Sequence, residues 1–197
     1  EHHASPMRED IRGNAYAAGF FGREYRLDYA IHTFPKPVLC WGHGIVMGGG
    51  VGLMLACDFA VASSKARFGL TSVRNGLLAG IAIPVLIEAV GPRMARQLLM
   101  HGGMFDTATA QRIGLIDQIA EPDALDATVA ALAEELKFGA PSVQTLIKKL
   151  VTQVNALPHD ANAAAILGSH VANQCVTEEA LEGMQAFLEK RKPKWIA

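Results

Sequence analysis

One stretch of the sequence, residues 36–53, limits what this chain can fold into more than any other. It reads KPVLCWGHGIVMGGGVGL. Pro35 and Pro37 end any helix that arrives from upstream, because proline lacks an amide hydrogen and disfavours helix in the preceding residue. The apolar run at residues 38–41 has the length of a buried strand. Glycines and then a helical pattern from Leu53 follow, so the stretch predicts a strand, a tight turn and a helix.

The glycine triplet at residues 48–50 indicates a place where another molecule can approach the backbone closely, because glycine has no Cβ in the way. The first N–H groups of a helix lack partners inside the helix and favour negative charge. Such a turn is typical of an oxyanion or phosphate site. A dinucleotide fingerprint would need glycine at Met47, and a P-loop would need a following Gly-Lys-Ser/Thr. Close packing of a helix on a strand remains the alternative interpretation of an isolated glycine cluster.

Composition excludes several classes of function. The chain has 197 residues, half of them hydrophobic, and a formal charge of −1. This length suits one large domain, or one domain with a smaller appendage, and the charge gives no basic field for nucleic acid. The three cysteines are widely spaced, which matches neither a disulfide framework nor a metal site. We therefore expect a cytoplasmic protein with no metal, no membrane partner and no nucleic-acid partner.

The pattern along the chain predicts three regions. Residues 1–14 are polar and predict a flexible leader. Residues 15–137 alternate helical and strand-like patterns and predict the core. Residues 138–197 are helical throughout, and an apolar helical region of this kind must bury its face somewhere, which suits oligomerisation.

Residues 36–69, KPVLCWGHGIVMGGGVGLMLACDFAVASSKARFG, resemble the enoyl-CoA hydratase/isomerase family, the crotonases. The stretches ATAQRIGLIDQI and GMQAFLEKRKPKW agree with the family's later units. YRLDYAIHTFPKPV, with WGHGIVMGGG, is particularly similar to the 3-hydroxyisobutyryl-CoA hydrolase branch. The resemblance implies an α/β fold with a crotonase-like ββα spiral core, incomplete at its N-terminus, followed by a helical C-terminal region.

The resemblance also implies a function. Family members act on acyl-CoA thioesters, many of them as lyases of fatty acid metabolism, and they form trimers or hexamers. Two backbone N–H groups, the oxyanion hole, hold the thioester oxygen, and the matching donor here is Gly49. The other donor lies in an upstream loop that residues 1–14 do not resemble. Lys190 matches the family's basic C-terminal end, which can reach CoA phosphates. Coenzyme A is expected only as part of the substrate.

Three positions depart from the family pattern. Hydratases carry glutamate where this chain has Gly52, and the glutamate and aspartate positions further on correspond to Ser72 and Gly80. Because hydration needs a carboxylate to deprotonate water, we expect ordinary crotonyl-CoA hydration to be absent or very slow. His43 is a candidate acid–base residue, although its position alone supports that role and a turn histidine bonded to backbone is the favoured interpretation. An acyl-CoA enzyme, a 3-hydroxyacyl-CoA hydrolase and a catalytically impaired CoA-binding or structural member all remain open.

Overall fold

The computed structural model describes residues 14–155, 158 and 160–196. Within this part of the chain there are eight α-helices and six short strands. The helices are α1 (Asn14–His32), α2 (Gly49–Leu55), α3 (Ile83–His101), α4 (Thr107–Arg112), α5 (Leu125–Leu136), α6 (Pro141–Asn155), α7 (Ala161–Cys175) and α8 (Glu178–Leu188). The strands are β1 (Leu39–Gly42), β2 (Ile45–Met47), β3 (Phe59–Ser63), β4 (Arg67–Gly69), β5 (Met104–Asp106) and β6 (Gln118–Ala120). The predicted leader lies outside the described residues apart from Asn14.

The chain divides into two compact units. The first comprises the described residues up to 32 together with residues 38–126, and it holds all six strands. The second comprises residues 33–37 and the chain from 127 onward, and it is helical. An α/β core followed by a helical C-terminal region is the architecture that the sequence predicts, and it is confirmed.

Two three-stranded sheets form the first unit. One has the order β1-β3-β6 with all strands parallel, and Gly42 of β1 lies opposite Ala62 of β3. The other has the order β2-β4-β5, in which β2 is parallel and β5 antiparallel to β4. In that sheet Met47, the last residue of β2, lies opposite Gly69. The glycine triplet therefore begins at the edge where β2 ends.

The segment between β1 and α2 differs from the prediction. The sequence predicts a turn there, whereas residues 45–47 form the strand β2, which pairs with β4. Three apolar residues flanked by glycines are too few to show a strand period, and their pairing partner lies about 20 residues further on. Helix α2 also begins at Gly49, earlier than the helical pattern from Leu53 suggests.

Helix α3 is interrupted at the Gly91-Pro92 pair. The sequence predicts two helices separated by Gly91 and Pro92, and the structure has one continuous element with a break at Gly91. Gly91 has φ 74° and ψ 162°, which a residue with a side chain rarely adopts. Pro92 cannot donate to the preceding turn, so the helix axis breaks where the sequence places it.

The core of the first unit collects apolar side chains from both sheets and from α2 and α3. Val51, Phe68, Leu70 and Leu86 are almost completely buried. Phe68 stacks on Phe105 of the neighbouring strand with ring centroids 6.0 Å apart. This packing fixes α2 against the second sheet, and it thereby fixes the position of the glycine turn.

Thr107 provides a test of how the β3–β4 turn is held. Its side chain is 1 % exposed, and its Oγ1 lies 2.9 Å from the carbonyl oxygens of both Ser63 and Ala66. Thr107→Val keeps the shape and removes the hydroxyl, so we expect the free energy of unfolding to fall by about 1–3 kcal/mol. Thr107→Ser keeps the hydroxyl and serves as the control. Urea denaturation measures the free energy of unfolding of both variants. An unchanged value for Thr107→Val would contradict the bridging role.

Candidate functional site

Gly48 makes the sharp turn between β2 and α2. Its φ of 53° and ψ of −119° lie in a region that essentially only glycine occupies. Its N–H donates to the Gly69 carbonyl at 3.0 Å, which extends the β2–β4 pairing by one residue. Its own carbonyl accepts from the N–H groups of Val51 at 3.0 Å and Gly52 at 3.3 Å. The turn is therefore fixed on both sides by backbone hydrogen bonds.

Gly49 follows as the first residue of α2, and it is exposed to solvent. In the described part of the chain, its N–H has no hydrogen-bond acceptor. A fixed, unengaged amide on a rigid turn can donate to an oxygen of a bound molecule without prior reorganisation. The structure therefore places at Gly49 the free donor that the predicted oxyanion role requires, while that role itself stays a prediction.

The three positions of the expected family carboxylates lie in α2, in a 3₁₀ helix and in the loop that follows it. Gly52 is buried in α2, whereas Ser72, in a 3₁₀ helix covering Thr71–Asn75, and Gly80 in the following loop are half-buried. A Cβ built on Gly52 would lie 3.3 Å from the Cβ of Ala82, two residues after Gly80. The structure thus brings the Gly80 loop against α2 at Gly52, and none of the three residues offers an acidic side chain there.

Helix α1 supplies two carboxylates at this place. Asp28 Oδ2 lies 3.2 Å from the position that a Cβ on Gly52 would take. One helical turn earlier, Glu24 Oε1 occupies the space next to Gly49 that a side chain there would need. Residues four apart lie on one face of a helix, so α1 presents an acidic face to the glycines of α2.

Asp28 is buried, and one of its carboxylate oxygens lacks a hydrogen-bond partner among the described residues. The residue is 5 % exposed, and its Oδ2 is sealed from solvent with no hydrogen-bond partner in the described part of the structure. Burial, and secondly the negative charge of Glu24, raise the pKa of the Asp28 carboxyl above its ordinary range. A buried polar atom left in this state destabilises a fold, which makes Asp28 the most unusual side chain in this region.

Sequence reasoning missed both carboxylates, because it searched only the positions at which the family places its acidic residues. One local signal was present: Glu24 and Asp28 are spaced by four in a helix that also carries Tyr25, Leu27 and Ile31. That spacing puts the two acids on one face. Which element the face meets depends on tertiary packing, and the sequence alone does not reveal it.

The other predicted site residues lie apart from Gly49 or in the second unit. His43 is exposed in the turn before β2, and Gly49 follows the other end of that strand, so the structure does not bring them together. Lys190 belongs to the second unit, where it has a φ of 55° and no ion pair within the described residues. Its neighbour Arg191 pairs with Glu182 and Glu189, each at 2.6 Å. The roles proposed for His43 and Lys190 stay predictions.

Two kinds of feature are absent from the residues that the structure describes. No group of three or more His, Cys, Asp or Glu side chains is arranged to hold a metal ion among them. None of the helices there combines the length and apolar character needed to cross a bilayer.

The two small sheets and the glycine turn between β2 and α2 belong to an α/β protein, and its superposition on solved enoyl-CoA hydratase structures shows the crotonase fold. Comparison with known families agrees: the model of the enoyl-CoA hydratase/isomerase family matches residues 8–197. The chain belongs to that family.

Matching curated relatives and solved structures include proteins named as enoyl-CoA or crotonyl-CoA hydratases. The chain is 33 % identical over 164 residues to a short-chain-enoyl-CoA hydratase of Clostridium acetobutylicum, with 82 % of this chain and 62 % of the relative covered. It is 32 % identical over 169 residues to a crotonyl-CoA hydratase of Syntrophomonas wolfei, with 85 % and 64 % covered. An enoyl-CoA hydratase structure from Shewanella pealeana superposes with a TM-score of 0.90 at 29 % identity, with 96 % of this chain and 71 % of that chain covered. The chain thus spans less than two thirds of these two curated relatives.

The buried carboxyl of Asp28 leads to a stability prediction. Because the folded state raises its pKa, the destabilisation is complete above that raised pKa and fades as the pH falls through it. We expect Asp28→Asn to raise the free energy of unfolding at neutral pH by about 1–3 kcal/mol, and the gain to shrink in acid.

Denaturant titrations at several pH values measure this difference between Asp28→Asn and the unsubstituted protein. The exposed Asp123 provides a matched control, since Asp123→Asn should leave stability unchanged. A loss of stability in Asp28→Asn at neutral pH would show that the carboxylate has a stabilising partner.

Proposed function

We propose that this protein binds acyl-CoA thioesters and acts on them by holding the thioester carbonyl oxygen at the Gly49 N–H. The observation that carries the proposal is an exposed amide without an acceptor in the described chain, on a turn that backbone hydrogen bonds hold rigid. Membership of the enoyl-CoA hydratase/isomerase family supports the thioester as the ligand.

The proposed chemistry depends on negative charge that develops on the thioester carbonyl oxygen. When an acyl thioester loses a proton at Cα, or receives a nucleophile, negative charge gathers on the carbonyl oxygen. A donor that is already oriented stabilises this charge more than water does, because nothing has to reorganise during the reaction. An enoyl-CoA hydratase/isomerase-like reaction uses this stabilisation for an enolate, and a thioester hydrolase uses it for a tetrahedral oxyanion.

Two alternatives have specific support. Positions 52, 72 and 80 hold glycine or serine where acidic residues are expected. This favours a catalytically impaired member that keeps CoA-thioester binding or only a structural role. The similarity of residues 25–38 and 41–50 to the 3-hydroxyisobutyryl-CoA hydrolase branch favours a 3-hydroxyacyl-CoA hydrolase. The first alternative predicts binding without turnover, and the second predicts release of free coenzyme A.

Turnover and binding assays distinguish these functions. Crotonyl-CoA and 3-hydroxyisobutyryl-CoA are offered as substrates, and butyryl-CoA, which has neither a double bond nor a hydroxyl, is titrated calorimetrically. We expect butyryl-CoA to bind and one substrate to be converted. Binding without conversion of either substrate would favour the impaired member, and an absence of binding would contradict the thioester proposal.

We further propose a homo-oligomer, a trimer or hexamer, located in the cytoplasm. Apolar side chains on α8 support the oligomer, because Leu181, Met184 and Leu188 are each at least half exposed and lie three or four residues apart on one helix face. Cys40, Cys57 and Cys175 form no disulfide within the described residues, which fits a reducing compartment.

A matched pair of substitutions isolates the Gly49 N–H. Gly49→Pro removes it, and proline is tolerated at the first position of a helix. Gly49→Ala keeps the N–H, and either new Cβ meets the same flexible Glu24 side chain. We expect kcat of the Pro variant to fall about 10²–10³-fold below that of the Ala variant. Equal kcat values for two folded variants would exclude Gly49 as the oxyanion donor.

A further inference from the structure

We propose that Asp28 of α1 is the proton-transferring carboxyl of this protein, in place of the glutamate that hydratases carry at the position of Gly52. The inference rests on the proposed function, because it takes a thioester held at Gly49 as its starting point. None of the family positions predicted from the sequence supplies this carboxyl, and it comes from a different helix. The expectation that hydration is absent or very slow rested on those family positions alone, and a carboxyl at Asp28 removes its premise.

Helices α1 and α2 meet at two levels, one helical turn apart. At the first level Glu24 lies against Gly49, and at the second Asp28 lies against Gly52. The levels match because residues four apart on α1 and three apart on α2 each share one helix face. The carboxyl of Asp28 is therefore next to the backbone from which the family's glutamate side chain would start.

The reach from the bound carbonyl to Asp28 is also suitable. Gly49 and Gly52 are separated by about 4.5 Å along the axis of α2, at 1.5 Å per residue. A thioester whose oxygen is bonded to the Gly49 N–H has its α and β carbons one and two bonds beyond the carbonyl carbon. A general base acts directly or through one water, and Asp28 Oδ2, which lies 3.2 Å from a Cβ built on Gly52, is placed one turn of α2 away from the Gly49 N–H.

The surroundings of Asp28 favour proton exchange rather than a fixed structural bond. Oδ2 has no partner in the described chain, and α2 carries no charged side chain. Ala82, before the start of α3, is apolar. On the face of α1 that carries Asp28, the charged side chains are Glu24 and His32, and His32 pairs with Glu88 of α3 at 3.8 Å. Burial and Glu24 raise the pKa of Asp28, and a raised pKa brings a carboxyl closer to the value that acid–base catalysis near neutral pH needs.

The step balances for the addition of water to an enoyl thioester. The Asp28 carboxylate takes a proton from water, and the oxygen of that water bonds to Cβ. The Cα=Cβ π pair forms the bond between Cα and the carbonyl carbon, and the carbonyl π pair moves to the carbonyl oxygen. The resulting enolate is stabilised by the Gly49 N–H. The Asp28 carboxylic acid then returns its proton to Cα, which gives the 3-hydroxyacyl thioester and restores the carboxylate.

Two assays report proton transfer by Asp28. One is hydration of crotonyl-CoA, and the other is exchange of the α-protons of butyryl-CoA in D₂O. We expect Asp28→Asn to lower both rates about 10²–10⁴-fold while butyryl-CoA binding is kept. Asp28→Ala should regain part of the rate when formate is added, which a purely structural residue would not show. Glu24→Gln removes a neighbouring negative charge, so it should move the acidic limb of the kcat/KM profile to lower pH. Asp123→Asn is the control for both assays.

Together the possible results distinguish a failure of the Asp28 inference from a failure of the proposed function. Unchanged rates in a folded Asp28→Asn variant would overturn the role of Asp28 and leave thioester chemistry standing. Thioester binding by the unsubstituted protein without hydration or exchange would also overturn it, and would favour the impaired member. No butyryl-CoA binding at all would overturn both. Lost rates with retained binding and formate rescue would support it.

Discussion

The hydrogen bond from the Gly48 N–H to the Gly69 carbonyl holds together the part of the molecule on which the rest depends. It ties the end of β2 to the end of β4, and the left-handed backbone of Gly48 then turns the chain into α2. Without this turn, the Gly49 amide would have no fixed direction. The buried packing of Val51 and Phe68 behind the turn makes its position rigid, and rigidity is what an oxyanion donor requires.

The sequence predicts the local features of this region and misses those that depend on distant pairing. The end of α1 before Pro35 and the break at Gly91 follow from chemical properties of single residues, and both are found. Strand β2 is missed because its three residues acquire strand character only by pairing with β4. The site divides in the same way: the glycine triplet is visible in the sequence, whereas the approach of Asp28 to Gly52 exists only after α1 has docked.

Glycine at position 52 has a structural reason that the family comparison alone would hide. A side chain there would begin 3.2 Å from Asp28 Oδ2 and 3.3 Å from the Cβ of Ala82, so these neighbours would have to shift by a few tenths of an ångström. The loss of the family carboxylate and the presence of Asp28 are therefore two aspects of one packing arrangement. A buried, unpartnered carboxyl is costly to keep, and proteins generally retain such local conflicts where function requires them.

The central claim is that the Gly49 amide donates to a thioester oxygen, and amide NMR tests it most directly. The protein is labelled with ¹⁵N and titrated with butyryl-CoA, and the Gly48 amide, already bonded to Gly69, serves as an internal reference. The account predicts that the Gly49 amide proton moves downfield as a new hydrogen bond forms, while the Gly48 signal changes little. A Gly49 signal that stays unchanged while butyryl-CoA binds would contradict it.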